Sequence, residues 1–485
     1  MKRISTLVTL LHFVLIAVAH SADTPAPASR PNILWLIAED MSPHFGCYGE
    51  KSIETPNIDS LAASGVLFER AFVTGPICSP SRSAMITGMY QTSIGAHHHR
   101  SGVGVEKIKL PADVELVPRL FQQAGYHTSN GYYPAVRKGK TDYNFEYDEA
   151  CYDGIDWKTR KPGQPFFAQI QLLGGKIRDV PKQLSDARAQ LGSVTAKDDL
   201  PLPPYYPRTP AILEDWAATL DAVRITDRHV GEILAHLRYE GILNETVVFF
   251  ITDHGVSHAR GKQFLYDEGT HIPFIVSGPA LPRGQRRHDL VEHIDMAATS
   301  LALAGIAKPK TMQARNVLAS GYEPRDAVFS ARDRADETVD HIRSVRTERW
   351  KYIRNFLPNR PYLQPNNYKD NKPCLIALRA AETAGLVDSI QKLIFATTRP
   401  PEELYDLAAD PWEVRNLAGD PSRGEILRGL RSKLEVWIEQ TDDKGRMPEP
   451  EARYDSDMAA YQGRKPNPEI AKNIALMKQW AREGR

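Results

Sequence analysis

Cysteine is scarce and net charge is almost absent. The 485 residues carry 61 Lys+Arg against 60 Asp+Glu, which excludes a nucleic-acid binder held mainly by charge and a polybasic membrane-surface protein. The four cysteines, Cys47, Cys78, Cys151 and Cys374, lie far apart with no paired spacing, so a disulfide scaffold is excluded. After the N-terminal segment no apolar run approaches the length of a membrane span. The 35 Pro and 32 Gly follow no collagen-like period, and no internal repeat is visible. What remains is a composition of 42% apolar and 8% aromatic residues, enough to build cores and to exclude wholesale disorder. The length exceeds what one core usually serves, so a large and a small domain are expected.

The N-terminus reads as a signal peptide over residues 1–22. Lys2 and Arg3 form the positive start, Leu7 to Ala19 the apolar stretch, and Ala17, Ala19, Ser21 and Ala22 the small residues where a peptidase cuts. A secreted or periplasmic protein with no membrane span is the expectation. A Pro/Ala-rich leader follows over residues 23–30. Asn32 to Ala38 is then a continuous apolar run, the pattern of a strand buried on both faces. Thr55 reads as a cap and Pro56 as the first position of a helix. Phe166 to Leu173, Thr246 to Ile251 and Pro273 to Val276 repeat the buried-strand pattern, and Ile212 to Tyr239 is a long amphipathic helix. This alternation predicts an α/β fold, a mostly parallel sheet sandwiched by helices, over residues 31–340. Short strands at Ile342 to Val345 and Trp350 to Ile353, with a helix near Arg423 to Gln440, predict a smaller α+β domain over residues 341–446. The Pro- and charge-rich residues 447–485 read as a wrapped or loose extension.

Two of the buried strands finish in acidic or imidazole groups, Glu39 and Asp40 after the first and Asp253 and His254 after the later one. In an open α/β sheet, ligands sit at the carboxyl ends of strands. Carboxylates converging there repel one another unless a cation lies between them, and mostly oxygen ligands suit Ca²⁺ or Mg²⁺ better than Zn²⁺. Either pair alone reads equally as a turn. Cys78 precedes Ser79 and Pro80, a cap and first position predicting a helix from Ser81 to Met89. Cys78 is thus expected at a helix N-terminus, where the dipole favours anions and lowers a thiol's pKa. Arg82 lies about one turn along and offers a guanidinium fork for an oxyanion.

Taken together, the run Cys78, Ser79, Pro80, Ser81, Arg82 with Thr87 and Gly88 resembles the signature of the sulfatase family, within the alkaline-phosphatase superfamily. The likeness extends through Thr55 to Asp59, Thr252 to Gly255, Leu265 to Gly269, Trp350 to Asn355 and Glu403 to Leu407. The resemblance implies that a formylglycine-generating enzyme converts Cys78 to formylglycine (3-oxoalanine), whose hydrate attacks sulfur, and that one calcium ion is held by Glu39, Asp40, Asp253 and His254. It also implies catalytic roles for Arg82, Lys140 and Lys262. Four departures stand out. Glu39 replaces the usual first aspartate, His254 a frequent asparagine, and Asp142 the histidine of a K-x-H motif. Gly174, Gly175 and Lys176 occupy the region of the histidine that serves the leaving oxygen, so Lys176 takes that place. His97, His98, His99 and Arg100, just past the signature helix, are candidate substrate-binding groups.

The resulting expectation is an exported sulfuric ester hydrolase acting on sulfated carbohydrate. Two alternatives remain open: a phosphate or phosphonate monoester hydrolase on the same fold, and a non-catalytic sulfated-glycan-binding protein, for which the two missing histidines argue.

Overall fold

The computed structural model describes residues 30–464 and 466–485. The signal peptide and nearly all of the leader lie outside the described residues. A seven-stranded sheet forms the centre, built from β1 (Asn32–Ala38), β2 (Gly65–Phe72), β3 (His127–Tyr133), β4 (Phe166–Leu172), β5 (Thr246–Thr252), β6 (His271–Ser277) and β7 (Gln285–Glu292). Their spatial order is β3-β4-β1-β5-β6-β2-β7, and only β6 runs antiparallel to its neighbours.

Burial of β1 on both faces follows from its sequence. Ile33, Trp35 and Ile37 enter one core, while Leu34, Leu36 and Ala38 enter the other, since alternate side chains of a strand point to opposite faces. The first core includes Ala84, Met85 and Ile86 of the Cys78–Thr87 helix. The second is covered by the helix Pro210–Tyr239, through Ala222, Val223, Ile225, Val230, Ile233 and Leu237. That helix starts two residues before Ile212, because Thr209 caps it by accepting from the Ile212 amide and Pro210 occupies its first turn.

A second sheet is wholly antiparallel, in the order β11-β10-β9-β8, from β8 (Val328–Arg332), β9 (Ile342–Arg346), β10 (Trp350–Asn355) and β11 (Glu402–Asp406). The helix Gly424–Gln440 supplies Leu430, Leu434 and Trp437 to the first core. The C-terminal segment is not loose. It forms helices Glu451–Arg464 and Pro468–Arg482, whose Tyr454, Met458, Met477 and Trp480 make a small core of their own. Three- and four-residue apolar spacing underlies both helices, diluted in the sequence by the charged residues between. All four cysteines are free. Among the described residues, no helix is long and apolar enough to cross a membrane.

Register explains the convergence of distant motifs. Ala38 pairs with Leu172 on one side and Thr252 on the other. Three parallel strands therefore end at the same level, releasing Glu39 and Asp40, the Gly174–Lys176 segment, and Asp253 and His254 at one edge.

Buried ion pairs join the smaller sheet to its surroundings. Asp340 receives Arg399 at 2.7 and 3.0 Å, Gln364 at 2.9 Å and the His341 amide at 2.9 Å, with Arg332 at 3.3 Å. Burial opposes this carboxylate, but Arg399 and Arg332 outweigh it and lower its pKa to about 2. A folded pKa below the unfolded value contributes stability that is complete above about pH 4 and is lost as pH falls through the folded pKa. Urea unfolding as a function of pH is expected to show roughly 2 kcal/mol of this kind. Asp340→Asn should remove that part of the acid dependence and cost roughly 3–5 kcal/mol at neutral pH, since two guanidinium groups lose their counter-charge.

Candidate active site

The Cys78–Thr87 helix is buried along its whole length. It begins two residues earlier than Ser79 as cap and Pro80 as first position predict. Ile77 is its N-cap residue, without a side-chain cap, and its carbonyl receives the Ser81 amide at 3.0 Å. Ser79 is thereby released from capping. Its hydroxyl pairs with His99 Nδ1 at 2.8 Å and accepts from the Arg100 amide at 2.8 Å, tying the loop after the helix to the residue beside Cys78.

Cys78 and Arg82 sit four residues apart on one helix face, over the strand-end carboxylates. The sulfur lies 3.3 Å from His254 Nε2, 4.0 Å from Asp40 Oδ1, 3.1 Å from Lys262 Nζ and 4.0 Å from Lys176 Nζ. Lys262 also reaches Asp40 at 3.1 Å. Arg82 donates from Nε to Asp253 at 3.1 Å and from Nη1 to Gln171 at 2.7 Å, while its buried Nη2 has no hydrogen-bond partner among the described residues. Burial opposes the Cys78 thiolate, but the ammonium groups of Lys140, Lys176 and Lys262 outweigh it and bring the thiol to about 6.

Asp40, Asp253, His254 and Cys78 form a ligand-atom cluster whose members all lie within 4.8 Å of one another. The donor set fits a divalent cation: two buried carboxylates and an imidazole whose Nδ1 pairs with the Gly255 carbonyl at 2.9 Å. With the proton on Nδ1, the Nε2 lone pair is free to ligate. Burial disfavours charge on this ring, yet Asp253 and Asp40 hold its pKa above the ordinary value. Asp40 has a φ of 55°, a left-handed conformation that aspartate tolerates better than most residues, and its amide donates to Asp253 Oδ1 at 3.0 Å.

Glu39 stands apart from that cluster. Its carboxylate accepts from Lys140 at 2.7 Å and Tyr132 at 2.7 Å, and pairs with Lys176. Burial acts against the charge, but Lys140, Lys176 and Arg82 hold its pKa far below the usual carboxylate range. Gly174 and Gly175 explain how Lys176 arrives there. Gly174 has a φ of 55°, and a Cβ at either glycine would strike the backbone of Glu39 or Asp40.

The His97–Arg100 run divides. His97 and His98 pack ring to ring, centroids 4.2 Å apart and planes tilted by 49°, and His98 faces Arg334 and Glu449, its Nδ1 accepting from the Arg334 amide at 3.2 Å. Neither ring has a contact with Cys78 among the described residues. His99 and Arg100, bonded to Ser79, border the site. The sequence offered no signal for Tyr368, on the short helix Asn367–Asp370, whose hydroxyl contacts Lys262 at 3.2 Å and Asp40 at 3.1 Å. Tyr132 and Gln171 were equally hidden, although period-two alternation along β3 and β4 could have aimed them at Glu39 and Arg82.

A chain that sets a buried cysteine at the start of a helix over a strand-end acid cluster, ringed by three lysines and an arginine, is matched by a family model for sulfatases over residues 31–306. The chain belongs to the sulfatase family. A second model, the C-terminal region of N-sulphoglucosamine sulphohydrolase, matches residues 254–364. An ulvan-active sulfatase of Formosa agariphila is 31% identical over 87% of this chain and 77% of that one. Human N-sulphoglucosamine sulphohydrolase is 29% identical over 86% of this chain and 91% of its own length. A solved structure containing its substrate, D-glucosamine-2-N,6-O-disulfate, shares the fold at a TM-score of 0.63 and 17% identity, covering 85% of this chain and 98% of the other.

The electrostatics of the sulfatase can be read on the unmodified thiol. In metal-free protein retaining Cys78 as cysteine, ultraviolet absorbance of the thiolate should appear with a midpoint near 6, as the Cys78 surroundings dictate. Lys262→Met removes a cation 3.1 Å from sulfur and should move the midpoint upward. An ordinary midpoint of about 8.5 in the unmutated chain would contradict the arrangement.

Proposed function

We propose that this sulfatase is exported and removes sulfate from sulfated carbohydrate, using formylglycine made from Cys78 by a formylglycine-generating enzyme, together with a bound calcium ion. The observation that supports this most directly is the convergence of Lys140, Lys176, Lys262 and Arg82 on Cys78, with Arg82 Nη2 buried and unpaired. A buried donor without an acceptor costs about 1–3 kcal/mol, and a sulfuryl oxygen would satisfy it. The carbohydrate assignment draws on the named relatives, an ulvan-active sulfatase and an N-sulphoglucosamine sulphohydrolase. Export rests on the N-terminal signal pattern.

The hydrated aldehyde would supply a nucleophile stronger than serine, and its second hydroxyl expels sulfate without attack by water on the ester; water then rehydrates the aldehyde. Calcium, for which Asp40, Asp253 and His254 are the fitting ligands, supplies Lewis acidity for charge developing on sulfuryl oxygens. Glu39, the fourth expected ligand, holds Lys140 and Lys176 in place in the structure described here. Lys262 and Arg82 are positioned to bind the anionic group through preorganised donors. In this reading Lys176, 4.0 Å from the Cys78 sulfur, takes the role of giving a proton to the departing oxygen, which the absent histidine leaves open.

Mass spectrometry of the tryptic peptide bearing Cys78, from protein co-expressed with a maturation enzyme, should show the thiol replaced by an aldehyde. Cys78→Ala should lower sulfate release from an aryl sulfate by more than about a thousand-fold. Faster turnover of the matching aryl phosphate would instead favour the phosphate-ester reading. Retention of the thiol in active protein would defeat the nucleophile assignment.

A further inference from the structure

Beside the sulfate-binding groups lies a second cluster, drawn from three separate segments of the chain. Arg100 lies 3.6 Å from Asp336 and 4.0 Å from Asp142. His99 lies 3.6 Å from the same Asp336 oxygen, and Lys140 lies 3.5 Å from Asp142. The Arg100 side chain is 42% exposed, so the cluster opens outward, whereas that of Asp336 is only 4% exposed. All three residues adopt left-handed backbone, with φ of 55° at Arg100, 54° at Asp142 and 50° at Asp336. Strain of this kind is kept where surrounding structure over-determines it, often at functional sites.

These contacts are longer than charge-assisted hydrogen bonds, which fall near 2.7–2.9 Å. Asp336 Oδ1 and Asp142 Oδ2 are both buried and without a hydrogen-bond partner among the described residues. Both unpaired atoms are acceptors. The Arg100 guanidinium is shared between the two carboxylates, and Lys140 is shared between Asp142 and Glu39, so neither cation saturates the acceptors beside it. Such a site calls for hydroxyl, amide or ammonium donors and repels a further carboxylate.

We propose that Arg100, Asp142 and Asp336 form the subsite for the sugar ring that carries the sulfate, with Asp336 as a specificity-determining residue selecting a neutral or amino sugar over a uronic acid. The proposal rests on the sulfated-carbohydrate reading above and narrows it. The cluster adjoins the reacting centre by direct connections. The Arg100 amide donates to Ser79 Oγ at 2.8 Å, His99 Nδ1 pairs with the same oxygen at 2.8 Å, and Asp142 follows Lys140 by two residues. A ring bonded through its sulfate at Cys78 would present its neighbouring hydroxyl or amino groups to the two open acceptors.

The test measures kcat/KM of matured protein on para-nitrophenyl sulfate, on monosulfated glucosamine, galactose and rhamnose, and on monosulfated glucuronic acid. A sulfated neutral or amino sugar is expected to be the best saccharide. Asp336→Asn should lower the ratio of kcat/KM on that sugar to kcat/KM on the aryl sulfate by roughly ten- to hundred-fold, mainly through KM. Arg100→Gln should shift the ratio in the same direction, and its half-exposed side chain keeps the test informative if Asp336→Asn melts early. Equal proportional losses on sugar and aryl substrates, or a preference for the sulfated uronic acid, would overturn the subsite alone. If the unmutated protein turns over the aryl sulfate and no sugar, the carbohydrate reading fails and the subsite fails with it.

Discussion

Compensation of buried charge at the ends of the central strands governs this molecule. Glu39, Asp40 and Asp253 are essentially without solvent exposure, and Lys140, Lys176, Lys262 and Arg82 are bonded to them. Neither set could be buried alone, because an uncompensated charge in a low-dielectric interior costs several kcal/mol. Together they leave Cys78 in a cationic surrounding, with the carboxylates of Asp40 and Asp253 gathered beside His254. One arrangement thus explains the depressed thiol pKa, the unpaired Arg82 Nη2 and the close packing of Gly174 and Gly175 on the backbone beneath.

The two departures at carboxylate positions gain a physical reading from the same balance. Glu39 carries one more methylene than aspartate, and its carboxylate reaches Lys140, Lys176 and Tyr132 rather than joining Asp40, Asp253 and His254. Two lysines near Cys78 thereby acquire a fixed counter-ion. Asp142, in place of a histidine, lies between Lys140 and Arg100 and extends the alternation of charge outward towards the exposed guanidinium. Tyr368 does similar work from the opposite side, linking Lys262 and Asp40 through one hydroxyl.

Much of the fold was legible. The continuous apolar runs that became β1, β4 and β5 could only be strands covered on both faces, and the proline-started helices could be placed within one or two residues. The smaller sheet showed itself through short alternating segments. Errors fell where local signals compete. Ser79 and Pro80 carry a cap signature, yet the helix starts at Cys78 and the serine hydroxyl serves His99 and Arg100 instead. The C-terminal helices were obscured because charged residues dilute their apolar spacing, and only packing between Tyr454, Met458, Met477 and Trp480 makes that spacing count.

For the site, the residue types were already written in the chain: a cysteine in its signature run, acids after buried strands, and lysines in recognisable surroundings. Those features are local, and a reading of spacing can find them. Which lysine pairs with which acid, the turning of His98 towards Arg334 and Glu449, and the meeting of Arg100 with Asp142 and Asp336 are not local. They depend on strand register, on backbone turned into left-handed conformations, and on segments hundreds of residues apart arriving at one level of the sheet. The chemistry available was set by composition and motif; its geometry was decided by folding, because only burial forces distant charges to choose their partners.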